Sequence, residues 1–130
     1  MILLDTHVWW WSLTEPENLS RTAIKTIRQT KTDLRMIASI SIWELAMMAA
    51  RKRISLKIPV AKWLSRALNE TGLSVIEISP EIAIDACNLP GKFHKDPADR
   101  LIVATARVNN LRLLTKDQKM LAYSHVDAMW

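Results

Sequence analysis

Short apolar runs, each followed closely by a helical segment, constrain this chain more than any other feature. Ile2-Leu3-Leu4, Met36-Ile37-Ala38-Ser39, Val75-Ile76-Glu77-Ile78 and Leu111-Arg112-Leu113-Leu114 read as buried strands. Between them the periodicity changes to that of helices. Thr6 to Leu13 carries a run of three tryptophans, and Ser20 caps a helix whose Ala23, Ile24 and Ile27 face inward. Ser41-Ile42-Trp43-Glu44 has the spacing of a capping box that opens a helix from Ile42 to about Lys52. Val60, Trp63, Leu64, Ala67 and Leu68 form an amphipathic helix that Gly72 can end. Ser79-Pro80 starts a short helix to about Asn88, and another runs from about Gln118 to Tyr123, before a weak strand near His125-Val126. Strands alternating with helices predict a parallel sheet covered on both faces. In such sheets, sites form beyond the carboxyl ends of the strands.

The most apolar helix is expected from Asp96 to Asn109. Asp96 reads as its N-cap, with Pro97 at the first helical position and Asp99 at the third. Leu101, Ile102, Val103, Ala104 and Ala106 leave it almost no polar face, so it is expected to be buried with its acidic end open to a cleft. Asp5 follows the first strand, Glu44 opens the helix after the second, and Asp117 follows the fourth. With Asp99, these acids fall on one edge of the sheet. Each also has a purely structural reading: Asp5 and Asp96 as helix caps, Glu44 as part of its capping box, Asp117 as a turn residue. Two like charges about 4 Å apart repel by about 4 kcal/mol at an effective dielectric of about 20. Four together would protonate or splay apart unless a cation held them. Carboxylate and water ligands select hard ions such as Mg²⁺ or Mn²⁺. His7, two residues after Asp5, is expected to be structural or substrate-facing.

Composition narrows the chemistry. A length of 130 residues suits one domain, 1–130, around one core. The net charge of +5 suits a nucleic-acid ligand, and with the carboxylate cleft it points to phosphodiester hydrolysis. No apolar run approaches the ~18 residues of a membrane span, and no signal peptide is visible. The single Cys87 excludes an internal disulfide and a cysteine-based zinc site; it fits a reducing cytoplasm and reads as a core residue. Arg21, Lys25 and Arg28 read as a solvated basic face. Six tryptophans stand against one phenylalanine and one tyrosine. Neighbours on a helix lie about 100° apart, so Trp9, Trp10 and Trp11 cannot all point inward. With Met47 and Met48 they form either part of the core or a groove for a partner.

Leu4-Asp5-Thr6-His7, Ser41-Ile42-Trp43-Glu44, Asp96-Pro97-Ala98-Asp99-Arg100-Leu101-Ile102 and Leu114-Thr115-Lys116-Asp117, in that order, resemble the PIN domain, in particular the VapC toxins of bacterial type II toxin–antitoxin pairs. The resemblance covers essentially the whole chain. It implies an α/β/α sandwich around a parallel sheet of about five strands, and a Mg²⁺- or Mn²⁺-dependent endoribonuclease that cuts RNA by water attack. It implies a cognate VapB-like antitoxin that blocks the acidic cleft, and homodimers or toxin–antitoxin hetero-oligomers. Carried over by position, Asp5, Glu44, Asp99 and Asp117 match the family acids that act on the metal, and Asp96 is an extra acid, a cap first and a ligand second. Thr115 matches a supporting hydroxyl. Thr6 is a helper by hydrogen bonding and Arg100 by a salt bridge or phosphate contact.

Three rivals remain. A phosphatase with an aspartyl nucleophile wants a second Asp two residues after the first, where His7 stands. A phospho-receiver domain wants an Asp after the third strand, where Ser79-Pro80 stands. A non-catalytic PIN-like nucleic-acid-binding or scaffold domain would share the fold and lack the metal chemistry.

Overall fold

The computed structural model describes residues 1–130. Five parallel strands form its sheet: β1 (Ile2–Leu4), β2 (Arg35–Ala38), β3 (Ser74–Ile76), β4 (Arg112–Leu114) and β5 (Ala128–Met129), in the order β3-β2-β1-β4-β5. The helices are α1 (Thr6–Thr14), α2 (Arg21–Gln29), α3 (Ser39–Ala50), α4 (Val60–Asn69), α5 (Pro80–Cys87), α6 (Pro97–Val108) and α7 (Gln118–Ala122).

Strand alternation divides the core in two. Successive side chains point to opposite faces. Leu3 and Leu113 therefore join the side covered by α5 and α6, with Ile82, Ala86, Ile102 and Val103. Ile2, Leu4, Ile37 and Leu114 join the other side, with Val8, Trp9, Trp10, Ala23, Leu45 and Ala67 from α1 to α4. The result is the three-layer α/β/α sandwich expected from the alternation. Because β1 is central, with β2 and β3 on one side and β4 and β5 on the other, the chain reverses direction across the sheet between β1 and β4. A cleft opens beyond the carboxyl ends at such a switch point. Asp5 ends β1 there, and its N–H donates to Leu114 O at 3.0 Å.

Several local expectations need correction. The Ser41–Glu44 capping box does not exist. Helix α3 starts at Ser39 on an Ala38 cap without a side-chain hydrogen bond, so Ser41 and Glu44 lie inside the helix. The last strand lies at Ala128–Met129, not near His125-Val126. Residues 123–126 form a turn first, and Leu113 N–H and Thr115 N–H reach Asp127 O and Met129 O. Cys87 is exposed. Helix α5 buries Ile82 and Ala86, and Cys87, next to Ala86, is turned outward. The Trp run splits as its angular spacing requires. Trp9 and Trp10 are buried, tilted against the ring of Trp63, and Met48 is buried too. These residues are core. Trp11 is the partly exposed member, against His7 and Trp130.

Candidate metal centre

Asp5 sits where the central strand turns into α1. It is buried, and both of its oxygens are taken. Oδ1 accepts from Thr6 N–H at 2.8 Å, and Oδ2 accepts from the Thr115 hydroxyl at 2.6 Å. Thr115 follows β4, so this bond joins the two strands at the switch point. Burial is the largest influence on Asp5 and raises its pKa; the bonds from Thr115 and Thr6 oppose it, and Asp117 adds to it. Thr115 to Val should leave Oδ2 without a donor in a buried place. A loss of about 1–3 kcal/mol in unfolding free energy by denaturant titration is expected.

Glu44 arrives from α3. Its Oε1 accepts from the Thr6 hydroxyl at 2.6 Å, and that hydroxyl also lies 2.8 Å from the buried Ser41 hydroxyl. Ser41 and Glu44 are three residues apart, so one helix face presents both to Thr6. Burial raises the Glu44 pKa most, and the charges of Asp5 and Asp96 raise it further. Thr6 thus links the acids that follow β1 and lie on α3, its N–H donating to Asp5 and its hydroxyl to Glu44.

Asp96 and Asp99 come from the first turn of α6. Asp96 Oδ1 accepts from Ala98 N–H at 2.9 Å and from Asp99 N–H at 3.3 Å, which makes it the N-cap. Asp99 is partly buried, and its pKa is pushed up to about 7, first by burial, then by Asp96, and then by Asp5, Glu44 and Asp117. The four other expected acids therefore all act on this one carboxyl. The acid edge inferred from strand order is present. Asp117 caps α7, its Oδ1 accepting from Lys119 N–H and Met120 N–H, and its own N–H donates to the Thr115 hydroxyl.

The acids converge without forming a finished cage. No group of three His, Cys, Asp or Glu side chains stands close enough together to hold an ion. Asp5, Glu44, Asp96 and Asp117 instead each have an oxygen engaged by the protein itself. Asp99 Oδ2 lies 3.0 Å from His94 Nε2, a close approach without a well-directed hydrogen bond. The donor set still suits a hard divalent cation in its chemistry. It is all oxygen, it is acidic, and burial and mutual repulsion raise three of its carboxyls.

Arg100 does not join the site. Its guanidinium donates to three backbone carbonyls, those of Ala86, Phe93 and His94, at 2.7 to 3.2 Å. It fastens α6 to α5 and fixes the loop that carries His94, and it forms no salt bridge with the acids. Two residues at the site escaped the sequence reading. Ser41 was absorbed into a capping box that does not form. His94 had no spacing signal, because only the fold of residues 93–99 brings its ring against Asp99.

The comparisons with known proteins agree with this fold. The PIN domain family model matches residues 2–126. Ribonuclease VapC22 of Mycobacterium tuberculosis is 41% identical over 124 residues, covering 95% of this chain and 92% of the relative. Among solved structures, FitAcB from Neisseria gonorrhoeae superposes with a TM-score of 0.73 at 19% identity, covering 99% of this chain and 96% of the other. VapBC2 from Rickettsia felis, bound to a DNA fragment from its promoter, gives 0.70 at 19% identity, covering 99% and 98%. A toxin–antitoxin complex from Klebsiella pneumoniae gives 0.67 at 21% identity, covering 100% and 97%. With a parallel five-stranded sheet whose switch point gathers Asp5, Glu44, Asp99 and Asp117, and with a VapC ribonuclease alike along nearly its whole length, this chain belongs to the PIN domain family, on its VapC branch.

Proposed function

We propose that this chain is a metal-dependent endoribonuclease, the toxin of a VapBC-type toxin–antitoxin pair. The observation that carries the reading is the coupling of Asp99 to four other acids at the sheet's switch point. Asp5, Glu44, Asp99 and Asp117 would hold Mg²⁺ or Mn²⁺, with Asp96 as a further acid at the rim. A divalent cation bound there supplies charge neutralisation for a phosphodiester and activation of water. The protein's own groups do the rest. Thr115 and Thr6 hold Asp5 and Glu44 in register. The partner is a VapB-like antitoxin, and the assembly is a homodimer or a toxin–antitoxin hetero-oligomer. The likeness to the Mycobacterium tuberculosis ribonuclease supports the substrate class. No helix is long and apolar enough to cross a membrane; with the single free thiol this fits action in the cytoplasm.

The purified chain should cut single-stranded RNA with Mn²⁺ or Mg²⁺ present and leave it intact in chelator, as read on a denaturing gel. Equal cleavage with and without chelator would remove the metal from the reading. Absence of cleavage under both conditions, with RNA still bound, would favour the non-catalytic PIN-like nucleic-acid-binding domain.

A further inference from the structure

Beside the acids a cleft of about 620 Å³ runs along α3, lined among others by Trp43, Glu44, Met47, Arg51, Arg53 and Asp96. Glu44 and Asp96 belong to the acid site, so the cleft is continuous with it. Its other wall has a different character. Trp43 is 56% exposed, although tryptophan is the largest apolar side chain available to bury. Every aromatic pair in the structure involves other rings, and the one cation over an aromatic face is Lys116 over Trp11. The indole of Trp43 therefore has no partner. Arg51 and Arg53 are exposed as well, and the arginines in ion pairs are Arg107, with Asp85, and Arg112, with Asp127. Two free guanidinium groups thus stand near acids that they do not neutralise.

The backbone holds these groups in place. Arg51 N–H donates to Met47 O at 2.9 Å, Lys52 N–H to Ala49 O at 3.1 Å, and Arg53 N–H to Met48 O at 2.9 Å. Lys52 takes the left-handed conformation, φ 55°, that closes the helix end. Trp43 and Met47 are four residues apart and share one face. From Trp43 to Arg51 the helix advances about 12 Å, a distance of nucleotide rather than single-phosphate scale. An aromatic face, two forked cations and an acid site thus follow one another along the same wall. Bases stack on aromatic side chains without regard to sequence, and guanidinium groups grip phosphates with paired donors.

We infer that the Trp43–Arg51–Arg53 wall is the docking track for single-stranded RNA beside the acid site, with a base stacked on Trp43 and phosphates held by Arg51 and Arg53. The inference rests on the ribonuclease reading and names where its substrate lies. Charge decides the occupant: an exposed pair of unpaired arginines suits a polyanion. None of the three residues is part of the acid cluster, so their role is to position the strand.

A fluorescein-labelled 12-nucleotide uridine-rich single-stranded RNA, titrated in chelator to prevent cleavage, tests this by anisotropy. Trp43→Ala should weaken binding about 10-fold, and Trp43→Phe should restore most of it, because a phenyl ring still stacks. The Arg51→Ala/Arg53→Ala double variant should weaken binding at least about 10-fold. It should also flatten the slope of log affinity against log salt by about 1.4, two contacts at about 0.7 each on a single strand. In Mn²⁺, Trp43→Ala should raise KM for RNA cleavage by a similar factor and leave kcat within about 2-fold. The melting temperature of each variant, with and without Mn²⁺, should stay at that of the unmodified protein. Unchanged RNA affinity in both variants, or an unmodified protein that does not bind this RNA, overturns the inference; unchanged affinity returns the wall to a protein partner. If affinity falls as expected but no protein cleaves RNA in Mn²⁺, the docking track stands and the ribonuclease reading falls. If affinity is unchanged while Mn²⁺-dependent cleavage persists, the reverse holds.

Discussion

Replacing Asp99 by Asn is expected to lower RNA cleavage by more than about 100-fold while leaving the fold intact. Changes to the groups that merely orient metal ligands cost about 10- to 100-fold, and loss of a charged ligand should cost more. Asn keeps the volume of the side chain and its place on the first turn of α6. Only the charge is lost, and that charge is the one every other acid in the cluster opposes. The melting temperature at pH 7.5 should therefore hold or rise as activity disappears, which separates a lost catalyst from an unfolded one. Asp5→Asn should behave similarly in cleavage, although its amide replaces an oxygen that accepts from the Thr115 hydroxyl or from Thr6 N–H, so some stability is lost. Expression of either variant should no longer arrest growth. The measurement is single-turnover cleavage of a labelled RNA in Mn²⁺, beside a circular-dichroism melt. Cleavage retained in both variants would end the case for the carboxylate site.

A second large effect concerns pH and metal together. Folding buries Asp99 among acids and raises its pKa from 3.8 to about 7. Between those values the folded chain holds a proton that the unfolded chain has released. The associated stability is fully present below about pH 4 and is lost as pH rises through about 7, by less than the full shift would give, because Asp99 is only partly buried and solvent screens it. Asp5 and Glu44, also raised by burial, act in the same direction. Metal-free protein should therefore become less stable from pH 5 to pH 8 by urea titration, and Asp99→Asn should flatten that fall. A divalent cation at about 100 times its dissociation constant should return about 2.7 kcal/mol at pH 7.5. For a chain of this size that is a rise of roughly 10 °C in Tm. At pH 5, where Asp99 is protonated, the rise should be much smaller. A metal response equal at both pH values, or equal to that of a matched monovalent salt, would mean that the acids do not bind the ion.

The layered α/β fold could be read from the residues because it depends on local pattern. Ile2-Leu3-Leu4 is too short for a helix and too apolar for a loop. The Asp96-Pro97 start of α6 meets the chemistry of a helix N-terminus with its own side chain. Strand–helix alternation then leaves few topologies, and all of them bring strand ends to one edge. That is why Asp5, Glu44, Asp99 and Asp117 could be assigned to a common rim without coordinates.

The linear pattern said less about which partner each polar group would choose. Glu44 looked like a capping residue because Ser41 stands three residues before it, but the helix begins earlier and both side chains turn to Thr6 on another element. Arg100 reads as a phosphate or carboxylate contact, yet its Nε and Nη1 donate to the carbonyls of Ala86, Phe93 and His94. Cys87 looked like core and lies outside, because the rotation of α5 was set by Ile82 and Ala86. Periodicity along a chain specifies which face is apolar, since burial is a property of one residue and its neighbours at helical or strand spacing. Hydrogen bonding and ion pairing are choices among groups dozens of residues apart, so they were settled only when β1, α3, α6 and β4 closed around the same point.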